Sequence, residues 1–336
     1  MANMIIPFFI PHSGCPHQCV FCNQKKITGQ NEPPAPSRLP QKINEYLKSD
    51  KTDNPARIAF YGGSFTALPS DTQKSFLEAV RPFIRSGQIK SIRLSTRPDC
   101  ISRNVLDLLS EYHVETIEVG AQSMDDRVLS LSGRGHTEAD TVNAVMLLGE
   151  YNLTVGLQLM PGLPGDSPCG FLNTVNKTIA LKPDFVRIYP ALVIKDTPLE
   201  EIYHTGRYAP LSFDEAVSLC KDALTRFEQA RIAVVRIGLQ PTEELQKPAT
   251  IIAGPYHPSF RQFVESSILL DKMRMVLSGK TFHEHKTVIL VNPTDISASI
   301  GQKRSNIGIL KKEFSIPDII IQSDHNIPKH TVRLME

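Results

Sequence analysis

The alternation of short β-rich runs with amphipathic stretches constrains the fold of this chain more than any other feature. Seven apolar or β-branched runs are predicted strands, at 4–10, 57–63, 91–96, 116–120, 154–160, 185–190 and 233–239. Amphipathic stretches such as "PSDTQKSFLEAVRPFIRSG" and "EADTVNAVMLLGEYNL" separate them. Strands that alternate with helices form parallel βα units. Six or seven such units predict an α/β fold, a partial (β/α)6-7 barrel of the TIM type.

In such a barrel, the loops that follow the strands form the active site. The unusual residues of this chain lie in those loops, within "YGGSFT", "STRPD", "GAQS" and "LMPGLPG". We therefore expect the functional residues at the carboxyl edge of the sheet.

The composition excludes several classes of protein. The chain has 336 residues, of which 41% are hydrophobic, and this balance indicates a globular protein. No apolar run reaches the roughly 18 residues of a membrane helix, and the N-terminus lacks the basic start and cleavage site of a signal peptide. We expect a cytoplasmic protein with no membrane contact. A net charge of +2 gives no global field for nucleic acid.

The hydrophobic periodicity changes after Pro241. We predict three segments, which are a barrel domain at 1–240, a linker at 241–257 and a small α+β domain at 258–336. The last segment contains one long helical pattern, the predicted strands "TFHEH" and "TVILVNP", two short helices on either side of "GQKR", and the predicted strand "PDIIIQ".

Three of the six cysteines lie within eight residues, with the spacing Cys15-x3-Cys19-x2-Cys22. In a reducing compartment a disulfide framework is not expected, and three clustered thiols suit one soft metal centre. A zinc site of three cysteines with His12 or His17 as fourth ligand is one interpretation. The other is a [4Fe–4S] cluster, in which three cysteines leave one iron open. The remaining cysteines, which are isolated, are interpreted as ordinary thiols: Cys100, Cys169 and Cys220.

The triplet follows a predicted first strand and resembles the signature of the radical S-adenosylmethionine (radical SAM) superfamily. The resemblance implies that Cys15, Cys19 and Cys22 ligate a [4Fe–4S] cluster whose open iron binds the amino and carboxylate groups of SAM. It also implies reductive cleavage of SAM to methionine and a 5′-deoxyadenosyl radical, with an electron donor such as flavodoxin or ferredoxin. Phe21, before the last cysteine, would pack near the adenine or simply in the core.

Further motifs on later strands extend the resemblance. "YGGSFT" is similar to the Gly-Gly motif whose backbone receives the SAM amino group, so Gly62, Gly63 and Ser64 are implied SAM contacts. Ser64 stands where relatives often have an acid. "STRPD", "EVGAQSMDDRVLSLSGRGHT" and "LQLMPGLPG" resemble the Elp3-like branch, which includes the catalytic subunit of Elongator and oxygen-independent coproporphyrinogen oxidases.

Within this branch, the resemblance implies that Arg97 and Gln122 contact the SAM ribose or carboxylate, and that Gln158 points into the barrel. His136, in "GRGHT", would approach the substrate or cap a helix. Arg187 and Tyr189 would touch SAM or substrate, or close the core.

The predicted order of the C-terminal elements, helix–strand–strand–helix–helix–strand, resembles a type II KH fold, whose G-x-x-G loop clamps nucleotide backbone. The corresponding loop here is "GQKR", in which Arg304 replaces the second glycine. RNA contact by Lys303 and Arg304 is one interpretation, and a small cap without ligand is the other. Tyr256 and His257 suit base stacking or docking onto the barrel. The chain shows no acetyl-CoA-binding helix start, so an acetyltransferase domain is not expected.

Three functions stay open. The first is a radical SAM enzyme whose substrate is RNA, in particular tRNA. The second is a radical SAM enzyme on a small molecule, as in coproporphyrinogen oxidases. The third is a non-catalytic protein that binds zinc or an iron–sulfur cluster.

Overall fold

The structure is a computed structural model that describes residues 4–30, 32–49, 54–282 and 286–335. Its strands are β1 (Ile5–Ile10), β2 (Ala56–Gly62), β3 (Ile89–Thr96), β4 (Val114–Gln122), β5 (Thr154–Leu159), β6 (Phe185–Ile188), β7 (Val193–Ile194), β8 (Ala233–Ile237), β9 (Ile251–Ala253), β10 (Thr287–Val291), β11 (Ile319–Ser323) and β12 (Val332–Leu334).

The helices lie between these strands and after them. They are α1 (Gln24–Thr28), α2 (Leu39–Ser49), α3 (Ser70–Arg85), α4 (Arg103–Ser110), α5 (Asp126–Leu131), α6 (Glu138–Glu150), α7 (Pro168–Ala180), α8 (Pro198–His204), α9 (Phe213–Gln229), α10 (Glu243–Gln246), α11 (Phe260–Leu277), α12 (Ile296–Ile300) and α13 (Ser305–Phe314). Side-chain caps fix several of their starts. Thr137 and Ser212, for example, form capping boxes at α6 and α9.

The main sheet has seven strands in the order β1-β2-β3-β4-β5-β6-β8. Every neighbouring pair is parallel, from β1–β2 to β6–β8. The sheet is strongly curled. The evidence is that Arg187 on β6 lies 3.4 Å from the hydroxyl of Tyr61 on β2. In a flat sheet, strands four positions apart would be separated by about 19 Å. The predicted partial barrel is therefore confirmed.

Alternation along the strands separates an outer from an inner face. On β1 the side chains of Ile6, Phe8 and Ile10 are fully buried in the core beneath the helices. Phe9, between them, faces inward and packs on Tyr61 of β2 at a ring distance of 6.1 Å. The inner face is thus formed by the other set of strand residues.

The segment 241–257, predicted as a linker, carries regular structure. It contains α10 and β9, and β9 pairs antiparallel with β7. Leu245 of α10 is buried against Leu192 and Ile194. Elements of two to four residues are too short for their periodicity to be recognised in a sequence. The predicted domain limits themselves stay a prediction.

The C-terminal strands form a separate sheet in the order β11-β10-β12, with β10 parallel to β11 and antiparallel to β12. Helix α11 joins the two cores. Its first half, with Phe260 and Val264, packs on the barrel core, and its second half, with Met273 and Leu277, packs on the small sheet.

The two helices predicted around "GQKR" are present as α12 and α13, and "PDIIIQ" forms β11. The predicted strand "TFHEH" is not observed at 281–282, which have no regular structure, and 283–285 lie outside the described residues. Strand β12 was not predicted. The KH-like order therefore stays a prediction.

Across the described ranges, no helix is both long and apolar enough to cross a membrane.

Candidate active site

The cysteine loop connects β1 to α1 and lies against the turn that follows β2. The amide of Ser64 donates to the carbonyl of Ser13 over 2.8 Å. A Cβ at Gly63 would lie 2.2 Å from that same carbonyl oxygen, so this turn accepts only glycine at such a close approach. The three cysteines and the Gly-Gly turn are thus parts of one packed unit.

The three thiols interact electrostatically. Burial, and then the neighbouring Cys19 and Cys15, raise the pKa of the Cys22 thiol to about 12. Burial, followed by Cys19, also raises the pKa of Cys15. Among the described residues, no three His, Cys, Asp or Glu side chains converge into a ready site for a single metal ion. In a cubane, by contrast, each thiolate binds a different iron.

Two buried arginines supply positive charge beside this loop. Arg134, which lies after α5, donates through Nη1 to the sulfur of Cys19 over 3.1 Å. Arg97, directly after β3, donates to the backbone carbonyl of Arg134 and forms an ion pair with Asp99 at 2.9 Å. Arg97 is 4% exposed and Arg134 is 5% exposed. Within the described ranges, Arg97 Nη1 and Arg134 Nε are buried without a hydrogen-bond partner.

Gln24 ties the cysteine loop to the Gly-Gly turn. Its side-chain Oε1 accepts from the amide of His12 and from the amide of Gly63, the latter over 2.9 Å. Its own amide donates to His12 Nε2 over 3.0 Å. That bond uses the Nε2 lone pair of His12, which therefore serves the loop and not a metal.

The hydroxyl of Ser64 is fully buried and bonded within the fold. It lies 2.9 Å from the Thr96 hydroxyl and accepts from the amide of Arg97 over 3.2 Å. These bonds fix the turn after β2 to the end of β3. The predicted contact of Ser64 with SAM stays a prediction, and its observed role is to join these two strand ends.

Gln122 and Gln158 come together at the ends of β4 and β5. Gln158 Nε2 donates to Gln122 Oε1 over 3.2 Å. Gln122 has a φ of 66°, in the left-handed region, which is a strained conformation for this residue type. Its carbonyl accepts from the amide of Met160 over 2.8 Å. Backbone strain at the carboxyl edge of a barrel is typical of functional sites.

The structure also shows the neighbours of three further residues named in the sequence analysis, which are His136, Phe21 and Tyr189. Burial, followed by the charges of Arg134 and Arg97, lowers the pKa of His136 to about 4, and its Nε2 lies 3.2 Å from the Ala121 carbonyl oxygen. The His136 ring is therefore neutral near pH 7, and its Nδ1 is buried without a hydrogen-bond partner among the described residues. Phe21 packs in an apolar cluster with Tyr189.

The two aromatic candidates of the C-terminal part are engaged in packing. His257 packs edge-on against Phe263 of α11 at a ring distance of 4.8 Å and against Phe213 of the barrel helix α9 at 6.3 Å. Tyr256 packs with Leu192 and Leu245. Both contacts agree with docking.

The "GQKR" loop has an unusual backbone. Lys303 and Arg304 have φ values of 50° and 62°, so two consecutive non-glycine residues lie in the left-handed region. Both side chains are exposed. Gln302, by contrast, is held through its Nε2, which donates to Gln262 of α11 over 2.9 Å.

Sequence reasoning missed several residues of this site. Arg134 lies in the "GRGHT" motif, two positions before His136. Gln24 follows the last cysteine by two positions. Glu118, on the inner face of β4, pairs with Arg93 at 3.0 Å and with Arg187 at 2.7 Å. A motif position could have suggested Arg134, whereas the contacts of Glu118 depend on strand register.

Comparison with known proteins identifies the class to which this site belongs. The model of the radical SAM superfamily matches residues 9–178, about half of the chain, and that of the radical SAM C-terminal domain matches residues 183–269. The chain belongs to the radical SAM superfamily and is a radical SAM enzyme.

Individual relatives narrow the class to the Elp3-like branch, as the motifs had indicated. A protein of Methanocaldococcus jannaschii described as uncharacterized is 30% identical over 223 residues, which are 63% of this chain and 68% of the relative. The tRNA uridine(34) acetyltransferase of Methanocaldococcus infernus is 28% identical over 247 residues, which are 61% of this chain and 46% of the relative. The chain thus spans about half the length of that acetyltransferase.

A solved structure shows the same fold. The Elp3 of Methanocaldococcus infernus with an N-terminal deletion superposes with a TM-score of 0.63 at 23% identity, over 80% of this chain and 63% of that one.

The family implies a [4Fe–4S] cluster and SAM, and the residues present fit these groups. Three mutually interacting thiols on one loop supply the soft donors. The glycine turn packs directly against the cysteine loop. The N–H groups of Arg97 Nη1 and Arg134 Nε are donors without acceptors among the described residues. An anionic cluster and a carboxylate are acceptors of the required kind.

Proposed function

We propose that this enzyme cleaves SAM reductively and uses the resulting radical to modify RNA, with tRNA as the substrate. The observation that carries the first part is the cysteine loop itself. It brings three thiols beside Arg134 and against the Gly-Gly turn. The second part is supported by the exposed "GQKR" loop and by the tRNA-modifying activity in the name of one relative.

In this proposal, Cys15, Cys19 and Cys22 hold the cluster and leave one iron free for SAM. When bound, the cluster supplies the single electron that cleaves SAM to methionine and a 5′-deoxyadenosyl radical. An external donor such as flavodoxin or ferredoxin provides that electron.

The chain's own residues bind and orient SAM. The backbone of Gly62 and Gly63 receives the amino group, as the Gly-Gly motif of the family implies, while the Gln24 side chain holds the Gly63 amide in place. Arg97 offers its unpaired Nη1 to the carboxylate or ribose, and its ion pair with Asp99 fixes the direction of the guanidinium.

The remaining SAM contacts come from the next strands and from the cysteine loop. The strained Gln122, bonded to Gln158, presents polar groups at the ends of β4 and β5. Phe21, in the same apolar cluster as Tyr189, would close the apolar side of the SAM pocket. Ser64 acts indirectly, since its hydroxyl fixes the backbone of Arg97.

Lys303 and Arg304 are the proposed RNA contacts. Both residues have a left-handed backbone, and both side chains are exposed on the same short loop. Two adjacent positive charges suit the phosphates of a nucleic acid. In KH domains the G-x-x-G loop clamps about four nucleotides of the nucleic-acid backbone.

The test measures SAM cleavage and tRNA binding in the same preparation. Full-length enzyme is reconstituted anaerobically, and 5′-deoxyadenosine release is followed with and without bulk tRNA. We expect tRNA to change the rate of 5′-deoxyadenosine release or the set of products formed from SAM. The double variant Lys303→Gln/Arg304→Gln should bind tRNA about tenfold more weakly in a gel shift.

The matched control is Lys74→Gln/Lys90→Gln, which removes the same charge from the exposed surface of the barrel. Equal tRNA affinity in both double variants would refute RNA contact by the loop. SAM cleavage that ignores tRNA, but responds to a small molecule, would favour the alternative of a coproporphyrinogen-oxidase-like enzyme.

A further inference from the structure

The inner face of the barrel carries an excess of positive charge. Strand register places Arg57 and Tyr61 of β2, Arg93 of β3, Glu118 of β4, Arg187 of β6 and Arg236 of β8 on the face opposite the helical core. This set contains four arginines and a single carboxylate. Charged side chains rarely lie this deep in a protein unless they are paired or serve a function.

Glu118 is shared between two of these arginines. Arg93 Nη2 lies 3.0 Å from Glu118 Oε1, and Arg187 Nη2 donates to the same oxygen over 3.0 Å. Arg187 Nε lies 2.7 Å from Oε2. One negative charge therefore faces two positive charges, and the trio keeps a net charge of +1.

Arg187 has more polar partners in the fold than Arg93. Besides Glu118, Arg187 donates to the hydroxyls of Tyr189 over 3.1 Å and Tyr61 over 3.4 Å. Arg93 forms an ion pair with Glu118 and lies over the ring of Phe185 at 5.5 Å. Its Nε is buried and, within the described ranges, has no hydrogen-bond partner.

Two more arginines extend this surface. Arg236 stands beside Arg187 in the register of β6 and β8. Arg57 stands one row below Arg93, and its Nε is also buried without a partner among the described residues. The Arg93 and Arg187 side chains are 15% and 17% exposed, so the face remains accessible to solvent.

We propose that this arginine-rich inner face binds a phosphate group of the substrate, with Arg93 and Arg236 as its ligands and Glu118 as the residue that positions Arg187. Guanidinium groups bind phosphate through paired N–H donors, and the fold engages fewer donors of Arg93 than of Arg187. The proposal rests on the proposed function, since a phosphate inside the barrel would bring an RNA nucleotide within reach of the SAM site.

The structure also indicates which variants should keep the fold. Removal of Arg93 leaves Glu118 paired with Arg187 through both of its oxygens. Arg93→Gln should therefore not leave a buried carboxylate unpaired. Arg93→Lys keeps the charge but loses the planar pair of donors.

The experiment compares three probes by calorimetric titration of reconstituted enzyme that is saturated with SAM and kept without reductant. The probes are uridine 5′-monophosphate, uridine and inorganic phosphate. Saturation with SAM keeps its own site filled. We expect the monophosphate to bind about tenfold more tightly than the nucleoside.

In Arg93→Gln and in Arg236→Gln this preference for the monophosphate should disappear, while uridine affinity is unchanged and Arg93→Lys keeps part of the preference. The control Arg103→Gln, an exposed arginine of α4, should behave as wild type. Binding of inorganic phosphate alone with the same response to the variants would support a phosphate site that needs no base. Equal binding of nucleotide and nucleoside by wild type, or an unchanged preference in both glutamine variants, would overturn the proposal.

The outcome is separate from that of SAM cleavage. Enzyme that cleaves SAM in response to tRNA but shows no phosphate preference would retain the proposed function and lose this site.

Discussion

Arg134 donates a hydrogen bond to the sulfur of Cys19 over 3.1 Å, across 115 residues of sequence. Its other terminal nitrogen donates to the Gly120 carbonyl over 2.5 Å, and Arg97 donates to its backbone carbonyl. A cation anchored by the fourth strand thus contacts a proposed cluster ligand. Hydrogen bonds to the ligand sulfurs are among the factors that set the potential of an iron–sulfur cluster.

Arg134→Gln should lower the reduction potential of the reconstituted cluster. The guanidinium stabilises the more negative, reduced state, so its removal makes reduction harder. A charge-assisted hydrogen bond contributes ~1.5–3 kcal/mol, and if all of it acted on the reduced state the shift would reach an upper limit on the order of 60–130 mV. The measurement is a potentiometric titration followed by electron paramagnetic resonance.

Arg134→Lys keeps the charge and should give an intermediate potential, because it cannot bond to both Cys19 and Gly120. Arg127→Gln, an exposed position on α5, is the matched control. A potential that is equal in Arg134→Gln and Arg127→Gln would show that the contact does not influence the cluster.

Gln24→Ala should weaken SAM binding by about tenfold without loss of iron, because two backbone amides lose their acceptor and the Gly-Gly turn loses its tie to the cysteine loop. Equilibrium dialysis against SAM and an iron assay measure the two quantities. Gln24→Glu keeps an acceptor oxygen and should retain most of the affinity. The exposed Gln41→Ala is the control, and SAM affinity that is equal in Gln24→Ala and Gln41→Ala would contradict the tethering role.

His330 makes stability depend on pH through its contact with Glu228 of α9, where Nδ1 and Oε1 are 2.7 Å apart. Burial alone lowers the pKa of His330, but the bonds to Glu228 and Glu265 outweigh it and raise the pKa to about 9. The folded state therefore holds a proton that the unfolded state releases above its ordinary value of 6.5. This stabilisation is complete below that pH and is lost as the pH rises towards about 9.

Denaturant unfolding near the two ends of this pH range tests the claim. Glu228→Gln should reduce the difference in unfolding free energy between the two pH values, because it removes the main charge that holds the proton. His325→Gln, an exposed histidine five positions away, should leave the difference unchanged. The assignment would be wrong if Glu228→Gln and His325→Gln showed the same pH dependence.

The local parts of the fold and site could be predicted from the sequence. The seven strands of the barrel each carry a run of apolar residues, and the cysteine triplet and the glycine pair are contiguous in the chain. The long helices were recognisable from their amphipathic pattern. β7 and β9 escaped detection because strands of two and three residues have no measurable period.

The long-range contacts could not be predicted in the same way. The pairing of Glu118 with Arg93 and Arg187 requires the register and the curl of three strands. The burial of the Ser64 hydroxyl likewise depends on the end of β3. A single sequence contains the residues for such contacts but not their distances.

The cysteines themselves bear the central claim, which is that three thiols hold the cluster that cleaves SAM. Cys100 is the neighbouring cysteine to be excluded, because it lies close enough to Cys15 to contribute to the raised pKa of that thiol. In the three-cysteine account, Cys100→Ala and the exposed Cys169→Ala keep the cluster. Replacement of Cys15, Cys19 or Cys22 by alanine removes it.

The most direct measurement is the release of 5′-deoxyadenosine from SAM by anaerobically reconstituted full-length enzyme under a strong reductant. We predict release by wild type, Cys100→Ala and Cys169→Ala, and none by Cys15→Ala, Cys19→Ala or Cys22→Ala. Wild-type enzyme that carries its cluster and reductant but leaves SAM intact, or equal release by Cys15→Ala, would contradict the account.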